Sequence, residues 1–375
     1  MVELADIVRA AGPAYAQAHA GRMLPSHRRA LHDIVGCRTP ALGGSLYRCD
    51  DCGALEYRYH SCRNRHCPKC QDDRAQAWLA RLRARLLPCA HYLLTFTLPA
   101  ELRALARAHQ KLVYAALLRA AARTVLTLAR DRRWIGGTPG ILAVLHTWSR
   151  TLAYHPHAHL LVTAGGLTAD GTAWIHPAHP RFLMPGYMLS EIFRAKLRDA
   201  LARAGVAHAI DPTVWQRPWT VHVHHIGRGD HAARYLSRYV YRVALTNQRL
   251  ECFAHGQVTF RYTHARTHQT RRLTLPVQSF LARFLQHVLP RGFPKIRSYG
   301  LLSPSRRGDL AWARHLLQRH AAPPTAETPA PPATTGTLSP PPASGPGTIT
   351  AARCCPVCQR GQLHLVERLY ARAPP

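Results

Sequence analysis

The chain is poor in acid and almost without lysine. Of its 375 residues 19 are Asp or Glu, and among 50 basic residues four are Lys, at positions 69, 111, 196 and 295. The acids are scattered (Asp131, Asp170, Glu191, Asp199, Asp211, Asp230), which argues against a nuclease that needs three carboxylates converging on a pair of cations. No apolar run reaches the ~18 residues of a membrane span, and the opening Met1 to Asp6 lacks the basic and apolar regions of a signal peptide. A cytoplasmic protein, nucleoid-associated through DNA, is the expectation. A Gly-x-x-x-x-Gly-Lys-Ser/Thr phosphate cradle is missing too.

What is present is cationic. A formal net charge of +31 and a pI near 10.9 make nucleic acid the natural partner. Arginine pairs phosphate bidentately and stacks on bases, and each phosphate contact releases counterions, so binding should be strongly salt-dependent. A hydrophobic content of 47% over this length supports a sizeable core, with one catalytic domain plus accessories.

The first chemical motif is Tyr154-His-Pro-His-Ala-His-Leu-Leu-Val162. On a strand, His157 and His159 point one way, with His155 beyond them, while Ala158 and Leu160 point into a core. Two imidazoles on one rigid strand make a pre-formed divalent-metal site. The sequence leaves the third ligand open among His155, His146, His224 and Gln248, and His222-Val-His224 repeats the same spacing. About 80 residues on, a helix starting near Asp230 would place Tyr235 and Tyr239 four apart on one face, among Arg234, Arg238 and Arg242, with Tyr241 off it. A phenol with a pKa near 10 is a weak nucleophile at neutral pH, so a cation must polarise the phosphate it attacks.

Eleven cysteines in an intracellular chain point to metal rather than disulfides. Cys49-x-x-Cys52 and Cys67-x-x-Cys70, 14 residues apart, are expected to close one structural Zn2+ site with no open position. Cys37, His60, Cys62 and His66 are further candidates. Near the end, Cys355-Pro-Val-Cys358 is half a zinc site, which His364, another chain or nothing would complete.

Helical spacing predicts an amphipathic connector over 73–87, one long helix from Glu101 to about Arg130, and helices over 189–203 and 280–289. Strands are expected at 91–98, 141–147, 157–163 and 219–225, with a hairpin over 260–275. Basic and aromatic side chains interleave in this last region (Arg261, Tyr262, Arg266, Arg271, Arg272, Phe293, Arg297, Tyr299), a pattern that suits single-stranded nucleic acid. The stretch 321–350 has nine prolines and no Lys or Arg, so a disordered linker is expected. The expected division is 1–88 as an N-terminal helical and zinc-binding domain, 89–310 as a catalytic domain with a basic extension, the linker, and 351–375 as a C-terminal segment. Strands interrupted by packed helices predict an α+β class with a mainly antiparallel sheet.

His-Pro-His-x-His followed by Tyr-x-x-x-Tyr resembles the HUH-type, two-tyrosine rolling-circle transposases of the insertion-sequence-91 family. Further likenesses are Ser61 to Cys70 to their zinc-binding segment, Leu145-His-Thr-Trp148 to the strand before the histidines, and His287 to Phe293 with Ile296 to Gly300 to their C-terminal signature. Together these cover about residues 30–303. The resemblance implies a ferredoxin-like or RRM-like sheet with the histidines on a central strand and Mg2+ or Mn2+ at His157 and His159. It also implies attack by Tyr235 or Tyr239 on single-stranded DNA at transposon ends, giving a 5'-phosphotyrosine. Arg63, Arg65, Arg234, Arg238, Arg242 and Arg297 are the candidate DNA contacts. The competing reading is a non-enzymatic zinc-ribbon protein that binds nucleic acid, which leaves the histidine strand and the paired tyrosines unused.

Overall fold

The computed structural model describes residues 2–179, 182–228, 244–264, 267–319 and 354–371, apart from the side chains of 71–77. The expected linker at 321–350 lies outside these. Packing divides the chain into two compact units, Met1–Cys37 with Cys62–Arg319, and Arg38–Ser61 with His320–Pro375. That division cuts across the expected 1–88 domain and joins its middle to the C-terminal segment.

In chain order the elements are α1 (Leu4–Ala18), α2 (Pro25–Gly36), β1 (Gly44–Cys49), β2 (Leu55–Tyr59), α3 (Gln71–Arg85), β3 (Ala90–Thr97), α4 (Arg103–Ala108) and α5 (Gln110–Ala129). Then come β4 (Gly140–Trp148), β5 (Tyr154–Thr163), β6 (Gly166–Leu167), β7 (Trp174–Ile175), α6 (Gly186–Arg203), β8 (Val221–Arg228), β9 (Leu250–Ala254), β10 (Gln257–Thr263) and β11 (Thr270–Pro276). The last are α7 (Val277–Leu285), β12 (Ile296–Gly300), α8 (Arg307–Arg319) and β13 (Leu363–Leu369). The class is α+β, and every described strand pairing is antiparallel.

The larger unit is built on a five-stranded sheet in the order β12-β4-β5-β3-β8, which makes β5 the central strand. Its inner strands are buried almost throughout, because both faces are covered. Strand alternation sends Tyr92, Leu94, Phe96, Ala143, Leu145, Ala158 and Leu160 to the face packed by α4, α5 and α6. Leu93, Leu142, Val144 and Leu161 face the other way, against Leu79 and Leu82 of α3 and Leu310, Ala313 and Leu317 of α8. Each fully buried Leu contributes about 1.5–3 kcal/mol. The apolar cover on this second face stops short of residues 157–159, which leaves the end of β5 open for polar side chains.

The long helix expected from Glu101 is two helices. His109, at φ −120 and ψ 51, leaves the helical region between α4 and α5. Good helix formers flank it, so no glycine or proline announces the break. By length and composition α5 could span a bilayer, but two-thirds of it is buried, and it is the core helix of the sheet. The N-terminal pair starts with a capping box in which the Glu3 amide donates to Asp6, and with Pro25 at the first position of α2. α1 and α2 share a separate core with α7 and with Val258, Phe260 and Leu275 of the sheet β11-β10-β9.

Candidate active site and metal centres

Antiparallel pairing sets His146 of β4 opposite His157 of β5, and Thr95 of β3 opposite His159. All three imidazoles emerge on the face away from α4–α6, where the rings lie 4.7 to 5.4 Å apart between centroids. One ring nitrogen from each lies within 4.8 Å of the other two. His157 Nδ1 sits 2.7 Å from the His155 carbonyl oxygen, which can only accept, so Nδ1 carries the proton and Nε2 keeps a lone pair for a cation. His159 Nδ1 pairs with Thr95 Oγ1 at 3.0 Å, the same second-layer arrangement. Burial pushes the His157 imidazole down to about 4, so it is neutral at physiological pH, the form that binds metal. His146 is braced by stacking on Trp148, 4.6 Å away at 20°, and the Lys295 ammonium lies 5.0 Å from the Trp148 ring centre. Desolvation, followed by the charge of Arg65, lowers Lys295 to about 7.

Geometry therefore brings in His146 from the open set of third ligands. His155 accepts from Arg103 Nη2 at 3.0 Å through Nδ1. His222 and His224 are exposed on the edge strand β8, and Gln248 is exposed beyond the sheet.

The histidines floor a cleft of about 540 Å3, walled by Trp148, Arg150, Arg249, Tyr262 and His264. It adjoins a second hollow of about 380 Å3 that shares Arg150, Arg249 and Tyr262 and adds Arg261 and His268. Arg150 donates to the Thr263 and His264 carbonyls, Arg249 to those of Arg150, Arg261 and Ala244, and Arg261 to that of Gln248. These carbonyls hold the guanidinium groups in place, and among the described residues no carboxylate lines either hollow. A larger groove of about 650 Å3 between α5 and α6 lies on the other side of the sheet, and among the described residues neither His nor Cys lines it.

The cysteines correct the sequence reading. Cys49, Cys52, Cys67 and Cys70 do not form one site. Cys67 and Cys70 converge with Cys37 and Cys62, and Cys49 and Cys52 converge with Cys355 and Cys358. The reason is the hairpin between the knuckles. β2 carries the chain about 16 Å away from the turn at Cys52, at ~3.3 Å per residue, before Cys62 is reached. Cys37 arrives at the C-terminal end of α2, and the Cys62 and Cys70 sulfurs lie 3.7 Å apart. Four sulfurs at ~2.3 Å from one Zn2+ would stand about 3.8 Å from each other, so the tetrad fits that ion. Hydrogen bonding from Cys62, Cys67 and Cys70 holds the Cys37 thiol far below its ordinary range. Of the other candidates, His66 is half-buried and accepts the Leu289 amide through Nε2, and His60 is exposed outside both tetrads.

Residues 140–309 match the family model described as "Putative transposase", and residues 7–98 match the "Transposase zinc-binding domain" of insertion sequence 91. "Putative transposase y4qJ" of Sinorhizobium fredii is 36% identical over 97% of this chain and 95% of its own length. The chain belongs to the insertion-sequence-91 family of transposases. The transposase for insertion sequence element IS801 of Pseudomonas savastanoi pv. phaseolicola is 30% identical over 72% of this chain and 68% of its own. No solved structure matches. The tetrad of Cys37, Cys62, Cys67 and Cys70 lies wholly inside the zinc-binding match, and all three histidines lie inside the transposase match.

Tyr235, Tyr239, Arg234, Arg238 and Arg242 lie outside the described residues, as does Arg266. Arg63 is exposed in a left-handed conformation at φ 53. Arg65 is half-buried and donates to the Phe293 and Pro290 carbonyls at 2.6 and 2.8 Å, which makes it a strut between the zinc segment and the 290–293 turn. Arg297 is half-buried with its guanidinium 5.3 Å from the Phe293 ring centre. Neither Arg65 nor Arg297 lines the histidine cleft, whereas Arg150, Arg249 and His264, which sequence reasoning passed over, do. Each stands alone in sequence, and only the packing of β10 beside β5's open end brings them together.

Proposed function

We propose that this transposase cuts and rejoins single-stranded DNA at the ends of its element by a two-tyrosine, rolling-circle route, with the five-stranded sheet acting as an HUH-type catalytic sheet. One observation carries the reading: three imidazoles, two from the central strand β5 and one from its neighbour β4, converge at the floor of a cationic cleft. Mg2+ or Mn2+ held by His146, His157 and His159 would supply Lewis-acid polarisation of the scissile phosphate. The His155 carbonyl and Thr95 hold the ligand rings in orientation, so little entropy is lost when the substrate is engaged. Arg150 and Arg249 would meet phosphates on either side of the scissile one, and Tyr262 would stack on a base.

The nucleophile is assigned to Tyr235 or Tyr239 from the sequence. Its phenolic oxygen bonds to phosphorus, the bond from phosphorus to the 3'-oxygen breaks, the phenolic proton passes to solvent, and the departing oxygen takes a proton from solvent to become a 3'-hydroxyl. The ester bond is conserved in the 5'-phosphotyrosine, so strand transfer to a new 3'-hydroxyl needs no ATP. A second tyrosine would allow one site to hold a donor strand while cutting another. With DNA as its substrate the working protein would act in the cytoplasm, on the nucleoid.

The test uses labelled single-stranded oligonucleotides from the element's ends with Mn2+. An SDS-resistant adduct that Tyr235→Phe or Tyr239→Phe removes is expected. DNA binding with no adduct under any condition would reduce the protein to a zinc-containing DNA binder.

A further inference from the structure

We propose that Cys49, Cys52, Cys355 and Cys358 form a second zinc centre, which clasps the C-terminal segment 354–371 onto the β1–β2 hairpin. The zinc-binding family match ends at residue 98 and so contains half of these ligands. Their four sulfurs lie within 4.8 Å of one another, with Cys49 to Cys358 and Cys52 to Cys355 both at 3.7 Å. That is the edge expected of a tetrathiolate around Zn2+, and far longer than the ~2.05 Å of a disulfide.

The two knuckles are built alike. After Cys49-x-x-Cys52 the chain turns at Gly53, with φ 70, whose amide donates to the Cys49 carbonyl. After Cys355-x-x-Cys358 it turns at Gln359, with φ 57, whose amide donates to the Cys355 carbonyl. Gly361 then donates its amide to Cys358 Sγ at 3.3 Å, and a Cβ at this position would fall 2.4 Å from Cys49 Sγ. A side chain there would push into the cluster, so glycine is required by closeness to sulfur.

A second observation comes from the sheet. β13 pairs along the whole of β1, giving the order β13-β1-β2, yet the only buried side chains among the described residues of this unit are Cys49 and Cys355. Three short strands with no apolar core cannot offset their conformational entropy, and small domains of this kind are held by metal or disulfides. Asp50 adds a local latch: its side chain accepts the Gln362 amide at 2.8 Å and pairs with His364 Nε2 at 3.1 Å. His364, a sequence candidate for ligation, is thereby placed beside the cluster and not in it.

The experiment counts zinc in the full chain carrying His157→Ala, so that the histidine triad contributes none. Two Zn2+ per chain are expected, falling to one in the Cys355→Ser/Cys358→Ser variant. In parallel, a site-specific protease sequence is placed between 321 and 350 and cut. The C-terminal fragment should stay bound in the zinc-loaded protein and separate in the double variant. One zinc in the parent, two in the variant, or release of the fragment from zinc-loaded protein would each overturn the proposal.

Discussion

The histidine triad and the cysteine tetrads differ in what they leave open. Each tetrad supplies four thiolates, a closed shell that leaves no position for substrate. The triad offers three imidazole nitrogens at the floor of a cleft, which leaves coordination positions facing the solvent side. Their supports differ in the same sense. The sulfurs of Cys49, Cys52, Cys355 and Cys358 are held by knuckle turns and glycine, devices that fix the backbone, whereas His157 and His159 are oriented by a carbonyl and a threonine behind them on a rigid sheet. One arrangement is suited to holding chain segments together, the other to holding a reacting phosphate.

The largest expected effect sets the two apart directly. His157→Ala should lower strand cleavage by more than about 100-fold, beyond the 10–100-fold that outer-layer changes cost, while the thermal midpoint barely moves. Cys67→Ser should do the reverse at the level of stability and lose cooperative unfolding of the N-terminal region, as followed by circular dichroism and zinc content. Thr95→Val sharpens the contrast: with His159 no longer oriented, Mn2+ affinity should fall about 10–100-fold at unchanged fold, read by titration.

Acid should weaken the protein through buried histidines that lie outside the candidate metal centres. Burial lowers His91 and His287 to about 4 in the folded chain, against 6.5 when exposed. Between these values the unfolded chain binds more protons, so stability is full above pH 6.5 and falls as pH drops toward 4. Urea unfolding at pH 7, 6 and 5 should show a loss that is shallower by up to about 1.4 kcal/mol per pH unit in His91→Leu. An unchanged slope would contradict that account. The smallest effect is at the cleft wall, where Arg150→Gln should weaken binding of single-stranded DNA and reduce its salt slope by about 0.7.

Much of the fold was legible because strand alternation and the Ala/Leu-rich helices are local signals. The strands carrying Leu94 and Val144 fall within one residue of their predicted positions, the strand carrying Leu160 starts three residues earlier than predicted, at Tyr154, and the alternation that turns His157 and His159 away from Ala158 is as the pattern requires. The break at His109 was not legible, since it depends on packing and not on a helix-breaking residue. The cysteine pairing was misread for a different reason. A Cys-x-x-Cys spacing fixes which two sulfurs share a turn but says nothing of which other turn they meet, and here the partner of Cys49 and Cys52 lies some 300 residues away. His146 was one of four possibilities until the register of β4 on β5 selected it. Arg150 and Arg249 had no motif around them, so only the cleft reveals them.

The most direct measurement is the Mn2+ dependence of the covalent protein–DNA adduct in the parent and in His146→Ala, with zinc content checked in both. Adduct formation should rise with Mn2+ in the parent and vanish in the variant while both keep their tetrathiolate zinc. An adduct formed equally well by His146→Ala would show that the three imidazoles do not act together, and would contradict the account of this site.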